Sequence, residues 1–115
     1  MKRNSRLMYL SSSSPPPKPS NRDESMLSIA WHLIHKQGCT IYGGFVRDWV
    51  VRGESANDID CSAAKSSYMT IQNYLIEIQA NLGVLFSQFK LNGAAYTLVF
   101  SHSFGGKKIQ VDLVD

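Results

Sequence analysis

At 115 residues the chain has room for one small domain at most, close to the lower end of the usual domain range. Its 43% hydrophobic and 18% charged residues are ordinary for a globular protein, and no apolar run approaches the length of a membrane span. The formal charge of +3 is unevenly divided: Lys2, Arg3, Arg6, Lys18 and Arg22 make the first 22 residues basic, whereas all nine acidic residues lie beyond them and there outnumber the bases. A slightly acidic body excludes broad electrostatic adhesion to nucleic acid, so RNA affinity there requires a localised patch, a metal or another domain.

Residues 1–22 read as a separate region. Ser11 to Ser14, Pro15 to Pro17 and Pro19 form a low-complexity stretch that builds neither helix nor sheet, so a disordered or extended tail is expected. Its Arg-containing, Ser-rich, acid-free composition matches an organellar transit peptide, but it lacks a clear amphipathic helix. A plain extension on a cytoplasmic protein is preferred, with a mitochondrial or plastid address as the alternative. Cys39 and Cys61 are the only cysteines. With no apolar-cored secretory signal and no metal-ligand spacing, both are expected to be reduced thiols in or near the core.

The first helix is predicted over Asp23 to Gln37. Asn21 and Glu24 have capping-box spacing, Gly38 is a natural stop, and Met26, Leu27, Ala30, Leu33 and Ile34 make one apolar face. His32 and His35 fall on this helix as surface or boundary residues. The next stretch, IYGGFVRDWVVRGESANDID, reads as a short strand, a Gly43-Gly44 turn, a helix from Phe45 to Arg52, a loop, and a strand opening on Asp58 and Asp60. Glycines let the backbone approach a ligand closely, and the N–H groups of a following helix favour an anion. Arg47, one turn into that helix, has a fork of donors suited to phosphate, and Asp48 with Arg52 is an ordinary i,i+4 pair. Strand periodicity puts Asp58 and Asp60 on one face, with Ile59 on the other, and two adjacent carboxylates suit Mg²⁺.

A second long helix is predicted from Ser66 or Ser67 to about Leu82, with Ile71, Leu75, Ile78 and Leu82 as its buried stripe. Three strands complete the chain: Val84 to Lys90, Ala95 to Ser101 and Lys108 to Val114. Asn92-Gly93 marks a tight hairpin and Gly105-Gly106 a looser one. In the last strand Ile109, Val111 and Leu113 share one face while Gln110 and Asp112 share the other. A third carboxylate at Asp112 therefore joins Asp58 and Asp60 if the two strands are neighbours; Asp115 has the opposite parity.

Singly, a Gly-Gly turn or an Asp-x-Asp strand is ordinary; it is their order and spacing that is specific. Gly43-Gly44-Phe45-Val46-Arg47-Asp48, followed by Asn57-Asp58-Ile59-Asp60, resembles the head-domain signature of class II tRNA nucleotidyltransferases (CCA-adding enzymes) and bacterial poly(A) polymerases, within the DNA polymerase β-like nucleotidyltransferase superfamily. The resemblance spans roughly residues 26 to 115. It implies an α/β nucleotidyltransferase fold, with a mixed, mostly antiparallel sheet of about five strands and helices packed against it. It implies that Gly43, Gly44, Arg47 and Asp48 bind a nucleoside triphosphate, ATP or CTP, and that Asp58, Asp60 and Asp112 are the catalytic carboxylates carrying two Mg²⁺ ions. Some class II heads have a glutamate that aligns equally well with Gln110, which leaves the third ligand open between these two positions. The implied reaction is nucleotide addition to an RNA 3′ end, with tRNA as the expected acceptor. In the resembled enzymes a base-selecting segment and helical RNA-binding domains follow the head, so a C-terminal part or partner chain is expected to supply them. Two other readings stand beside it: a minimal transferase modifying a protein or small RNA, disfavoured because such enzymes usually carry Gly-Ser before the arginine, and a non-catalytic nucleotide-binding remnant.

Overall fold

Apolar alternation along the second half of the chain produces three strands, β3 (Val84–Asn92), β4 (Ala95–His102) and β5 (Ile109–Val114). Two shorter strands precede them, β1 (Thr40–Tyr42) and β2 (Asp58–Ser62). In this computed structural model, which describes residues 3–54, 56, 58–102 and 105–115, with side chains from residue 6 onward, the strands form one sheet in the order β1-β2-β5-β4-β3. The pairing is parallel between β2 and β5 and antiparallel between the other neighbours. The mixed, mostly antiparallel five-stranded α/β architecture expected from the sequence is therefore the one adopted. Asn57 of the signature lies outside the described residues.

Register explains which side chains meet. Ile59, Val111 and Leu98 stand side by side across β2, β5 and β4 and are fully buried, beneath helices whose apolar residues join them in one core cluster. The opposite face carries the row Tyr42, Asp60, Asp112, Thr97 and Lys90, one residue from each strand. Asn92 pairs with Ala95, so the tight hairpin turns on Gly93 and Ala94. Gly93 has φ +65°, the left-handed conformation that two-residue hairpins need at their first loop position. A bulge between Phe86 and Gln88 shifts the β3 register, which turns Gln88 and Lys90 toward the open face.

The helices differ from the sequence prediction in instructive ways. Helix α2 spans Arg22–His35, and the Asn21 side chain accepts from the Glu24 N–H at its start. The Glu24 carboxylate reaches back one residue further than a capping box requires, accepting from the N–H and hydroxyl of Ser20. Beyond the expected apolar face, Ile29 and Trp31 are also buried, and a further helix packs on the Trp31 side. That helix is α1 (Arg3–Ser11), and it corrects the disordered or extended tail expected over residues 1–22. Local sequence has no apolar stripe strong enough to announce α1. It is held by tertiary contacts: Leu10 enters the core, the Trp31 indole donates to the Ser12 carbonyl (2.8 Å), and His35 bonds the Leu10 carbonyl (2.7 Å) while stacking on Trp31. The Ser/Pro stretch beyond it forms no helix or strand.

Helix α3 (Tyr68–Glu77) is shorter than predicted. A 3₁₀ turn, Lys65–Ser67, precedes it, and after Ile78 the chain leaves the helix through a run of turns that still buries Leu82. Turn geometry there satisfies the backbone without continuing the helix: the N–H groups of Leu82 and Val84 both reach the Gln79 carbonyl. Cys39 and Cys61 are buried free thiols, as expected. No described helix is long and apolar enough to cross a membrane.

Arg6 is the main tie between α1 and the signature. Its guanidinium lies over the Trp49 ring, 3.7 Å from the centroid, donates to the Trp49 carbonyl at 2.7 Å, and pairs with Asp23 at 3.3 Å. Its side chain is 9% exposed, whereas that of Asp23 is 55% exposed. The contacts with Trp49 therefore outweigh the ion pair, which water screens. Arg6→Ala is expected to lower stability by about 2 kcal/mol, and Asp23→Asn by less than about 0.5 kcal/mol, in urea denaturation. Equal losses would mean that the ion pair, not Trp49, holds α1.

Candidate metal and nucleotide site

The carboxylates meet because β2 and β5 are parallel neighbours. Asp60 stands opposite Asp112, and Asp58 opposite Gln110. Carboxylate oxygens of Asp58, Asp60 and Asp112 lie within 4.8 Å of one another. Of the two positions left open by the sequence, Asp112 is thus the acid that completes the cluster; Gln110 lies one row away, beside Asp58. Asp58 is exposed, while Asp60 and Asp112 are half-buried.

These charges act on one another. Burial pushes the Asp60 carboxyl above the ordinary carboxylate range, repulsion by Asp112 and then Asp58 raises it further, and a hydrogen bond with Asp112 favours its protonated form. This is the pattern of like charges competing for protons at one site. Thr97 on β4 is a contributor that motif reading missed. It stands opposite Asp112, is nearly buried, and its hydroxyl donates to Asp112 Oδ1 at 2.6 Å. The bond holds one carboxylate oxygen in place and leaves the other for a further partner. The signal was present in strand parity, since Tyr96, Leu98 and Phe100 claim the core face and leave Thr97 on the other. Using it required knowing that β4 borders β5.

The turn after β1 brings the backbone close to the carboxylates. Gly43 has φ +74°, and a Cβ there would stand 3.3 Å from Asp60 Oδ2. A side chain at this position would be strained and would crowd the carboxylate. Gly44 differs: its φ is −59°, and a Cβ would meet Asp48 Oδ2 at an ordinary 3.5 Å. Only Gly43 is demanded by the fold itself. The following helix, Phe45–Val51, is a π-helix, a rare form often found at functional sites. It buries Phe45, Trp49 and Val50 and presents Arg47 outward. Gly53, at φ +75°, ends it, with its N–H on the Trp49 carbonyl.

Arg47 and Asp48 hold each other. Arg47 Nε and Nη2 donate to the two Asp48 oxygens at 2.9 and 3.0 Å, and Arg52 approaches Asp48 at 3.5 Å. The hydrogen bond with Arg47 lowers the Asp48 pKa, and the same bond raises that of Arg47. Arg47 is exposed, so its pair with Asp48 contributes little. Asp48 itself lies between the two arginines. Of the sequence-stated site residues, Gly43, Asp58, Asp60 and Asp112 converge, while Gly44, Arg47 and Asp48 flank them on the β1 side.

The donor set fits Mg²⁺. All three side chains offer hard oxygens, and ligands on opposite sides of one Mg²⁺ are about 4.2 Å apart, so a small rotamer adjustment of exposed Asp58 closes the cluster. Two predictions follow from the charge balance. Because the Asp60 pKa is higher folded than unfolded, the metal-free protein takes up a proton on folding; that contribution is full below the ordinary Asp range and is lost as pH rises through the raised Asp60 pKa. Asp60→Asn should therefore melt above the wild type at about pH 7 in chelator, the difference closing toward about pH 4; a lower melting temperature at pH 7 would contradict this. Thr97→Val should weaken Mg²⁺ binding by about 10-fold, on the scale of lost outer-shell partners, with Thr97→Ser close to wild type in calorimetric titration. Equal affinity in Thr97→Val would remove Thr97 from the site. No protein-family model, curated protein or solved structure matches the chain, so the site is defined by its own geometry.

Proposed function

We propose that the chain is a Mg²⁺-dependent nucleotidyltransferase that joins a nucleotide from ATP or CTP to an RNA 3′ end. The supporting observation is the convergence of Asp58, Asp60 and Asp112 against the backbone of Gly43, with the exposed guanidinium of Arg47 against the next residue of the turn, Gly44. A hard-cation site adjoining a bare backbone turn and an exposed arginine suits a metal-bound triphosphate better than a lone cation. The sequence resemblance to nucleotidyltransferase heads points the same way.

In this reading Asp58, Asp60 and Asp112 hold the metal, whose chemistry would be to polarise phosphoryl oxygens, acidify a hydroxyl and neutralise a leaving pyrophosphate. The protein's own residues position and screen. Gly43 lets phosphate oxygens approach the carboxylates, and Arg47 leaves Asp48 to bind the triphosphate tail. Thr97 fixes Asp112, and Asp60, raised in pKa, gives up its proton when a cation arrives. The acceptor hydroxyl attacks the α-phosphorus, the bond to the β-phosphate oxygen breaks, and pyrophosphate departs. Phosphoryl transfer asks the protein mainly for placement and electrostatics, so a small domain with few functional side chains is adequate to it.

Calorimetric titration with ATP and CTP, with and without Mg²⁺, tests this directly. Mg²⁺-dependent binding is expected, lost in Asp58→Ala/Asp60→Ala and weakened about 10-fold or more in Arg47→Ala, on the scale of a lost charge-assisted bond. Incorporation of labelled nucleotide at an RNA 3′ end should follow the same pattern. A well-folded protein that binds neither nucleotide with Mg²⁺ would overturn the proposal.

A further inference from the structure

The open face of the sheet extends well beyond the carboxylates. From Asp112 the register continues through Thr97 on β4 to Lys90 on β3, and the neighbouring row runs from Asp58 through Gln110 and Val99 to Gln88. Lys90, Gln88 and Gln110 are exposed. Thr97 and Val99 lie nearly buried between them. Strands are spaced about 4.8 Å apart, so Lys90 stands about 10 Å from Asp112 across β4, a gap that its long stem shortens. The β3 bulge gives Lys90 this face; without that shift its side chain would keep the parity of Val84 and Phe86 and point to the core face.

The chemistry of the site gives this region a direction. In phosphoryl displacement the attacking and leaving oxygens lie roughly in line. Gly43 and Arg47 stand on the β1 side of the carboxylates, so a triphosphate held there expels pyrophosphate toward β1. The attacking hydroxyl must then arrive from the other side, over β5, β4 and β3. There the described strands β3, β4 and β5 carry a single lysine or arginine, Lys90, with neutral hydrogen-bonding groups from Gln88 and Gln110, and no carboxylate on these rows beyond Asp112 among the described residues. A polyanion approaching the acidic cluster from this side meets attraction first.

Resting on the nucleotidyl-transfer reading above, we infer that the outer face of β3, β4 and β5 is the acceptor surface, where Lys90 binds a backbone phosphate of a single-stranded RNA 3′ end. An open sheet face with Lys90 and exposed amides suits a single strand, whose phosphates and base edges are both within reach. The cation supplies position rather than broad affinity, consistent with the slightly acidic body of the domain.

The test separates acceptor from nucleotide. Fluorescence anisotropy of a labelled single-stranded RNA oligonucleotide is measured on the full chain with Mg²⁺ and a non-hydrolysable triphosphate, beside calorimetry of the Mg²⁺-triphosphate alone. Lys90→Glu is expected to weaken RNA binding about 10-fold and to reduce the salt slope by about one, with Mg²⁺-triphosphate binding unchanged. Lys90→Gln should fall between, and it keeps the test open if charge reversal on an edge strand impairs folding. Lys36→Glu, at the far end of α2, has the same net charge and should bind RNA as the wild type does. Wild-type RNA affinity in Lys90→Glu with nucleotide binding intact would overturn the acceptor surface alone, as would an equal loss in Lys36→Glu or equal affinity for a duplex. Failure of the wild type to bind Mg²⁺-triphosphate would instead remove the nucleotidyl-transfer reading, and this inference with it.

Discussion

The parallel pairing of β2 with β5 is the constraint on which the site depends. It sets Ile59 beside Val111 on the core face and, one residue on, Asp60 beside Asp112 on the other. A slip of one residue would exchange the faces, burying carboxylates and exposing the apolar row. The hydrophobic core therefore enforces the placement of like charges that would otherwise separate. Burial of the fully covered Ile59, Val111, Leu98 and Leu113, worth roughly 1.5 to 3 kcal/mol per side chain, readily outweighs the repulsion among partly exposed carboxylates.

That repulsion is stored where a cation can release it. Asp60 lies against a glycine backbone and two acids, and its carboxyl is driven toward the protonated form. Thr97 prevents Asp112 from relieving the strain by turning away. Opposite charges nearby are kept to themselves: Arg47 is paired with Asp48 outside the cluster, and among the described residues no arginine pairs with the three carboxylates. An acidic cluster without an internal counter-charge has most to gain from an external one.

Helix α1 adds a dependence between distant parts of the chain. Arg6 caps the Trp49 carbonyl and covers its ring, and Trp49 with Phe45 anchors the π-helix that carries Arg47. Each π-helical hydrogen bond spans five residues rather than the four of an α-helix, so a short segment makes fewer of them and relies on such packing to persist. The basic N-terminal segment thus supports the Arg47 side of the site through the core rather than through its charge.

Much of this was legible without coordinates. Strand parity separated Ile59 from Asp58 and Asp60, and Val111 from Asp112; Gly-Gly, Asn92-Gly93 and Asn21 marked turns and a cap; the order of these signals carried the resemblance. Such features are local, and side-chain period and backbone preference act within a few residues. What the sequence by itself determined is therefore the list of elements and the face each side chain takes. Tertiary structure alone decided the neighbours: that β5 lies between β2 and β4, that Asp112 rather than Gln110 stands by Asp60, that Thr97 holds it, that a bulge turns Lys90 outward, and that α1 folds at all. Those outcomes depend on contacts between residues far apart in the chain, whose energies are set by burial and register and leave no periodic trace in the segments that make them.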